Sequence, residues 1–174
     1  SGIQKEICHE QERLRLVNEQ IKQLDAEQKE QLKMPITEAD QKAAKMKTLK
    51  GIGQHDSCLL SKELFGWRKF NNRREVGAIS GLTGTAYNSG DTVVEQGISK
   101  AGNRRVRSTM IELAWRWTFY QPDSELTKWF MQRFGSGGKR MRRVGIVALA
   151  RKLLIALWKF VEFGEVPAGA VVRA

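Results

Sequence analysis

Only three prolines and two cysteines occur in the 174 residues, and neither type is placed to carry a fold. Cys8 and Cys58 lie far apart outside any paired framework, which excludes a disulfide scaffold and fits a reducing, cytoplasmic setting. The two histidines offer Cys8-His9 and His55-x-x-Cys58 as zinc candidates, but that spacing matches no structural zinc pattern. Long apolar runs are missing too. The richest stretch, 144–161, is interrupted by Arg151, Lys152 and Lys159, so no membrane span is expected. Ser1-Gly2 lacks an initiator Met and leads straight into polar sequence, so no secretory leader is expected and the chain reads as a piece of something longer. Pro35, Pro122 and Pro167 fall between apolar-periodic stretches and leave those stretches unbroken.

Positive charge is what the chain has in excess. Thirty Lys and Arg stand against 19 Asp and Glu, giving a formal charge of +11 and a pI near 10.0. Residues 1–50 are nearly balanced, so the excess belongs to 51–174. A polyanionic partner follows, because each phosphate neutralised by a side-chain cation releases counterions. At 41% hydrophobic residues the chain can also bury a core, which excludes disorder throughout.

The periodicity is that of a mainly α protein. Residues 3–33 hold no internal Gly or Pro, and Ile7, Leu14, Val17, Ile21 and Leu24 fall at seven-residue a/d spacing, continued in polar form by Gln28 and Gln31. This predicts a coiled-coil arm over 1–34, or a solvated helix packed on one neighbour. Met34-Pro35 ends it. Within a linker at 35–48, Thr37-x-x-Asp40 signals an N-cap for a short helix to Lys47. A helical domain follows over 49–174. Gly51-Ile52-Gly53 opens it as a helix-hairpin-helix-like turn, in which glycines allow backbone N–H groups to approach a phosphate; an ordinary helix corner is the rival reading.

Asn71 or Asn72 is placed to cap a helix through Ile79. The Gly-, Thr- and Ser-rich stretch 81–97 is expected as a loop with one short hairpin. Further helices are predicted before Gln121-Pro122, after Ser124, and from Lys139 to Gly164, with 135–138 as a flexible joint. Trp115, Trp117, Trp129 and Trp158 should pack in the core, as should Val144, Val147, Leu154, Leu157 and Val161. Trp67 sits beside Arg68 and Lys69 and could stack on a base, with packing the better expectation.

Tyr87-Asn88-Ser89-Gly90 lies inside the Gly-rich stretch, followed by Ser99-Lys100-Ala101-Gly102-Asn103-Arg104-Arg105-Val106-Arg107. Together these resemble the C-terminal domain of transposases of the IS-one-ten and IS-eleven-eleven insertion sequences and of related invertases. Ser89 matches the serine of a Tyr-x-Ser-Gly motif, and 99–107 matches a Ser-Lys-x-Gly-Asn-x-x-x-Arg block. The resemblance extends over 49–167. One departure is Gly81-Leu82-Thr83-Gly84, where the family often has Gly-Leu-Thr-Pro.

The resemblance implies a DNA recombinase whose serine, here Ser89, forms a covalent link to DNA, with a structured guide RNA; the a/d spacing of the arm is what predicts a homo-oligomer, a dimer or tetramer. The resemblance also implies magnesium in an RNase H-like domain that is not in this sequence; no cofactor is expected within these residues. A hydroxyl is a weak nucleophile that needs a base, a metal or electrostatic help. Gly90 permits close approach of a phosphate, and Asp91 lies beside it. Gly51, Gly53, Ser99, Lys100, Asn103, Arg104, Arg105 and Arg107 are the candidate nucleic-acid contacts, with Arg140, Arg142 and Arg143. Those last three start a helix, where cations oppose the dipole unless an anion binds. Ser80 reads as a turn or cap residue, and Ser99 as a cap or phosphate ligand. A non-catalytic nucleic-acid-binding module and a coiled-coil adaptor remain the rival classes.

Overall fold

The computed structural model describes residues 2–89 and 92–173, with residues 85–89 and 92–96 described by their backbone alone. Among the described residues the chain is mainly helical. The elements are α1 (Gly2–Lys33), α2 (Glu38–Lys47), α3 (Gln54–Leu60), a π-helical turn (Ser61–Phe65), α4 (Arg73–Ile79), β1 (Gly84–Ser89), β2 (Thr92–Ile98), α5 (Arg104–Tyr120), α6 (Glu125–Phe134) and α7 (Lys139–Phe163).

Local chemistry sets most boundaries. The Thr37 hydroxyl accepts from the Asp40 amide at 3.1 Å, and the Asp40 carboxylate accepts from the Thr37 amide at 3.3 Å, a reciprocal cap that starts α2. Asn72 caps α4, Asn103 caps α5 and Ser124 caps α6, each through a side-chain oxygen. Gly164, at φ 76°, closes α7 in the left-handed conformation that glycine adopts without a Cβ clash. The Gln121 side chain ties the body's first and last segments together. Its amide donates to the Lys50 and Val171 carbonyls at 2.8 and 3.0 Å and accepts from the Val171 amide at 2.8 Å.

The core lies where α5 and α6 cover α7, with α2, α3 and α4 closing its sides. Trp117 fills its centre, fully buried, and its indole N–H donates to the Ser124 hydroxyl at 2.9 Å. The segment 135–138, expected as a flexible joint, is a closed turn: the Gly135 and Gly137 amides donate back to the Met131 and Phe134 carbonyls. A Cβ on Gly145 would stand 2.4 Å from the Phe134 ring, so only glycine lets α6 and α7 approach there. Trp115 and Val144, both expected in the core, are 39% and 54% exposed. Val144 lies on the opposite side of α7 from the Ile146, Leu153 and Leu157 stripe at about 100° per residue, and Trp115 is likewise off the Met110, Leu113 and Trp117 stripe. Trp67, also expected to pack, is 67% exposed.

A single continuous helix forms over the predicted arm, about 48 Å long at 1.5 Å per residue. Its contact with the body is confined to its C-terminal end. Leu32 packs with Ala43 and Cys58, and the Asp25 carbonyl accepts from Gln54 at 2.9 Å. Lys42, on α2, is the buried counterpart of that anchor. Its ammonium donates to the Phe65 carbonyl at 2.8 Å and pairs with Glu162 and Glu38 at 2.6 and 2.8 Å. Burial works to lower its pKa, but the two carboxylates outweigh burial and hold it above the ordinary lysine value.

The two cysteines provide a check on this packing. Cys8 is exposed on the arm, whereas Cys58 is buried under it, and burial pushes its thiol pKa up. A thiol-specific chromogenic reagent near neutral pH is expected to modify Cys8 alone in the folded chain and both residues after denaturation. Equal native reactivity of the two would mean that α1 does not cover Cys58.

Candidate functional site

Between α4 and α5 the chain leaves the helical body and returns as an antiparallel hairpin. Ser89 pairs with Thr92, Tyr87 with Val94 and Gly84 with Ile98, with one irregularity between Gly84 and Thr85. Ser89 ends β1 about 17 Å from Gly84 at 3.4 Å per residue, at the far end of the rod from its base. The side chains of Ser89 and Tyr87, together with Gly90 and Asp91 as a whole, lie outside what is described.

The base of the rod is locked by backbone. The Ser99, Lys100 and Asn103 amides donate to the Thr83, Gly81 and Ile79 carbonyls at 2.9, 3.2 and 2.8 Å. Two glycines make this possible. Gly81 and Gly102 hold φ of +65° and +100°, and a Cβ on them would stand 2.0 and 2.1 Å from the Ala101 and Ile79 carbonyl oxygens. Arg107 bridges the clamp from α5, donating to the Ser80 carbonyl at 3.3 Å and the Lys100 carbonyl at 2.9 Å. Ser80 is the turn residue the sequence suggested. Its buried hydroxyl donates to the Gly77 carbonyl at 2.9 Å and accepts from the Leu82 amide at 3.4 Å.

The start of α5 stands beside this base. Asn103 caps the helix, its side-chain oxygen accepting from the Arg105 and Val106 amides at 2.9 and 3.2 Å, so Ser99 is not the cap. Glu63, from the π-helical turn, accepts from the Asn103 side-chain amide at 2.9 Å and pairs with Arg105 at 3.2 Å. Sequence reasoning missed Glu63, because its partners are 40 and 42 residues away. Arg104 and Lys100 remain exposed.

The other candidates do not join this cluster. Gly51, at φ +95°, faces Tyr120 at the opposite end of α5, where a Cβ would stand 3.0 Å from the tyrosine's own. The Gly53 amide donates to Asp56 at 3.3 Å, and Asp56 also pairs with Arg116 at 2.8 Å, which raises the Arg116 pKa. A carboxylate of the chain itself thus occupies the position expected for a phosphate. Arg140, Arg142 and Arg143 are exposed on the first turns of α7, and Gly138 caps that helix without a side-chain bond. Two to three turns further on, Arg151 lies against Gly77 of α4, which leads into the hairpin base.

The Transposase IS116/IS110/IS902 family profile matches residues 43–128, a span that includes the hairpin, its clamp and α5. A Sinorhizobium fredii protein named as transposase y4rJ is 41% identical over 179 aligned residues, covering 98% of this chain and 45% of that protein. The transposase for insertion sequence element IS1328 of Yersinia enterocolitica is 27% identical over 150 residues, covering 85% of this chain and 42% of that protein. The chain belongs to the IS116/IS110/IS902 family of transposases. It spans less than half the length of the relatives it matches.

The clamp makes a direct test of this geometry. Gly102→Ala is expected to destabilise the fold by roughly 2 kcal/mol or more, because the positive φ and the Ile79 carbonyl both oppose a side chain. Gly84→Ala, whose Cβ meets nothing within 4 Å, should change stability by less than about 0.5 kcal/mol. Denaturant unfolding measures both, and faster exchange of the Ser99, Lys100 and Asn103 amides in Gly102→Ala would locate the loss at the hairpin base.

Proposed function

We propose that this chain is the serine-bearing C-terminal part of an insertion-sequence transposase, which binds DNA and presents Ser89 to a DNA phosphodiester. The observation that carries this reading is the hairpin, with Ser89 ending β1 on a rod whose base is fixed by the Gly81 and Gly102 clamp. A nucleophile held on a pre-set frame spends little free energy on orientation when a substrate arrives. In the step proposed, the Ser89 Oγ bonds to phosphorus while one bond from phosphorus to a deoxyribose oxygen breaks. The serine proton ends on that departing oxygen, leaving a phosphoserine link and a free hydroxyl end. Arg104 and Lys100 are exposed near the hairpin base, away from Ser89 at its far end, and are candidates to hold phosphates flanking the attacked one.

The magnesium implied by the family resemblance finds no holder here. Among the described residues no three His, Cys, Asp or Glu side chains gather as a metal site, and no step is routed through a metal. We assign the metal-binding acids to an RNase H-like domain outside this sequence, and a structured guide RNA as a second polyanionic partner. No helix of the described residues is long and apolar enough to cross a membrane.

The arm supplies the proposed oligomer contact. Leu14, Val17, Ile21 and Leu24 are exposed in one row along α1, which a second copy of the helix would cover. Sedimentation at several concentrations is expected to show concentration-dependent association that disappears when the arm is deleted. A strict monomer at high concentration would overturn the pairing.

For the chemistry, the decisive assay is denaturing-gel capture of protein-linked DNA by the complete transposase. Ser89→Ala should abolish the adduct with DNA affinity nearly unchanged, since the attacking atom is gone. Ser80→Ala should keep the adduct while costing roughly 1–3 kcal/mol of stability, because it removes a buried hydroxyl with two partners. Adduct persisting in Ser89→Ala but absent in Ser99→Ala would move the nucleophile to Ser99. Recombination without any adduct would sink the serine mechanism and leave a hydrolytic one.

A further inference from the structure

Between the π-helical turn and α4 a short connection carries Trp67, the indole with the greatest exposure in the chain, at 67%. A lone exposed apolar residue needs no explanation by itself. This one differs in how it is held. At the start of the connection, a Cβ on Gly66 would stand 2.6 Å from that of Ala39, so the backbone is pressed onto α2. Lys42 accordingly reaches the Phe65 carbonyl at 2.8 Å. At its end, the Asn71 amide and the Asn72 side chain both donate to Glu75, at 3.1 and 2.8 Å. Phe70 is buried edge-on against Phe65, with ring centroids 6.4 Å apart. The connection is pinned at both ends and its apolar demand is met by Phe70. Trp67 is therefore turned outward on a fixed backbone, without a ring or cation partner among the described residues.

The exposed charge beside it in the chain is mostly positive. Arg68, Lys69, Arg73 and Arg74 are all exposed, and none has an ion-pair partner among the described residues. Arg68 lies over the Phe70 ring at 5.6 Å. Two carboxylates lie nearby: Glu75 caps the connection, and Glu38 pairs with Lys42 while also feeling the charge of Lys69. An exposed indole with two cations next to it in the chain and two more exposed on the first turn of α4 fits a ligand having an exposed π face and a phosphate backbone. Duplex buries its base faces in the stack, whereas an unpaired strand offers them. An acidic peptide would satisfy the cations but leave the indole without a stacking partner.

We propose that Trp67 is a stacking platform for an unpaired nucleobase, with Arg68, Lys69, Arg73 and Arg74 tracking the adjoining phosphates of a single-stranded nucleic acid. This rests on the nucleic-acid-binding reading of the chain and adds to it a site for unpaired strand, separate from the hairpin. Stacking supplies affinity that salt does not screen, while the cations supply the salt-dependent part.

The test measures affinity of the full 174-residue chain for two probes of equal length, a stem with an unpaired loop and a blunt, fully paired duplex, each made as DNA and as RNA. Trp67→Ala is expected to weaken loop binding about 5- to 100-fold and duplex binding by less than about twofold, with Trp67→Phe retaining most of the loop affinity. The slope of log affinity against log salt should be unchanged in Trp67→Ala. In Arg73→Ala with Arg74→Ala it should be shallower by about one for each phosphate no longer neutralised. A larger Trp67 effect on looped RNA assigns the site to structured RNA, and on looped DNA to an opened DNA strand. Equal losses on both probes, or no loss on either, with wild type binding well, would overturn the stacking site while leaving nucleic-acid binding intact. Failure of wild type to bind any probe would overturn both.

Discussion

The constraint on which the rest depends is the covering of α7. Its 25 residues place Ile146, Leu149, Leu153, Leu157 and Val161 on one face, with Gly145, Leu154 and Trp158 widening the apolar surface well beyond a single stripe. Such a helix needs several neighbours. The others take their places on it: α5 and α6 along its length, α4 at Arg151 and Gly77, and α2 through Lys42 to Glu162 and Lys45 to the Val161 carbonyl at 3.2 Å. At 2.4 Å from the Phe134 ring, the missing Cβ of Gly145 is what lets α6 lie close enough to complete the cover.

Because α4 and α5 are both fixed on α7, the segment joining them has a fixed start and a fixed end. The backbone clamp uses that. With 79–83 held against 99–103, the residues between must project outward, and an antiparallel hairpin satisfies their backbone groups without further help from the core. Three of the residues from the basic block stabilise this frame: Asn103 caps α5, Arg107 bridges the clamp carbonyls and Arg105 pairs with Glu63. Lys100 and Arg104 are left facing solvent. A short run of polar residues thus divides into those that build the hairpin's support and those available to a ligand.

Much of this was legible in the residues. Thr37, Asn72 and Ser124 announced helix starts, Gly164 announced a stop, and the polar arm over 3–33 formed one helix within a residue of its expected start. Caps act over three or four residues, so local sequence contains the whole interaction. The failures were of another kind. Trp115 and Val144 were expected in the core and are exposed, because apolar character says that a residue can be buried and not which side of a helix a neighbour will occupy; Trp67, on a connection, is exposed because Phe70 fills the buried place there. On α7, Leu154 and Leu157 are buried as expected, whereas Val144, grouped with them by its apolar character alone, falls on the uncovered side.

Local residue chemistry was enough to give the helical class, most helix ends, the placement of positive charge after residue 50, and the family, whose profile spans 43–128. Packing was needed to establish which apolar faces meet, that Glu63 answers Asn103 and Arg105, that Gly81 and Gly102 lock the hairpin, and that Phe70 goes inward while Trp67 goes outward. The physical reason is range. Hydrogen-bonded caps and charge are properties of adjacent residues, whereas burial and close backbone approach depend on partners tens of residues away, whose positions exist only once the chain has packed.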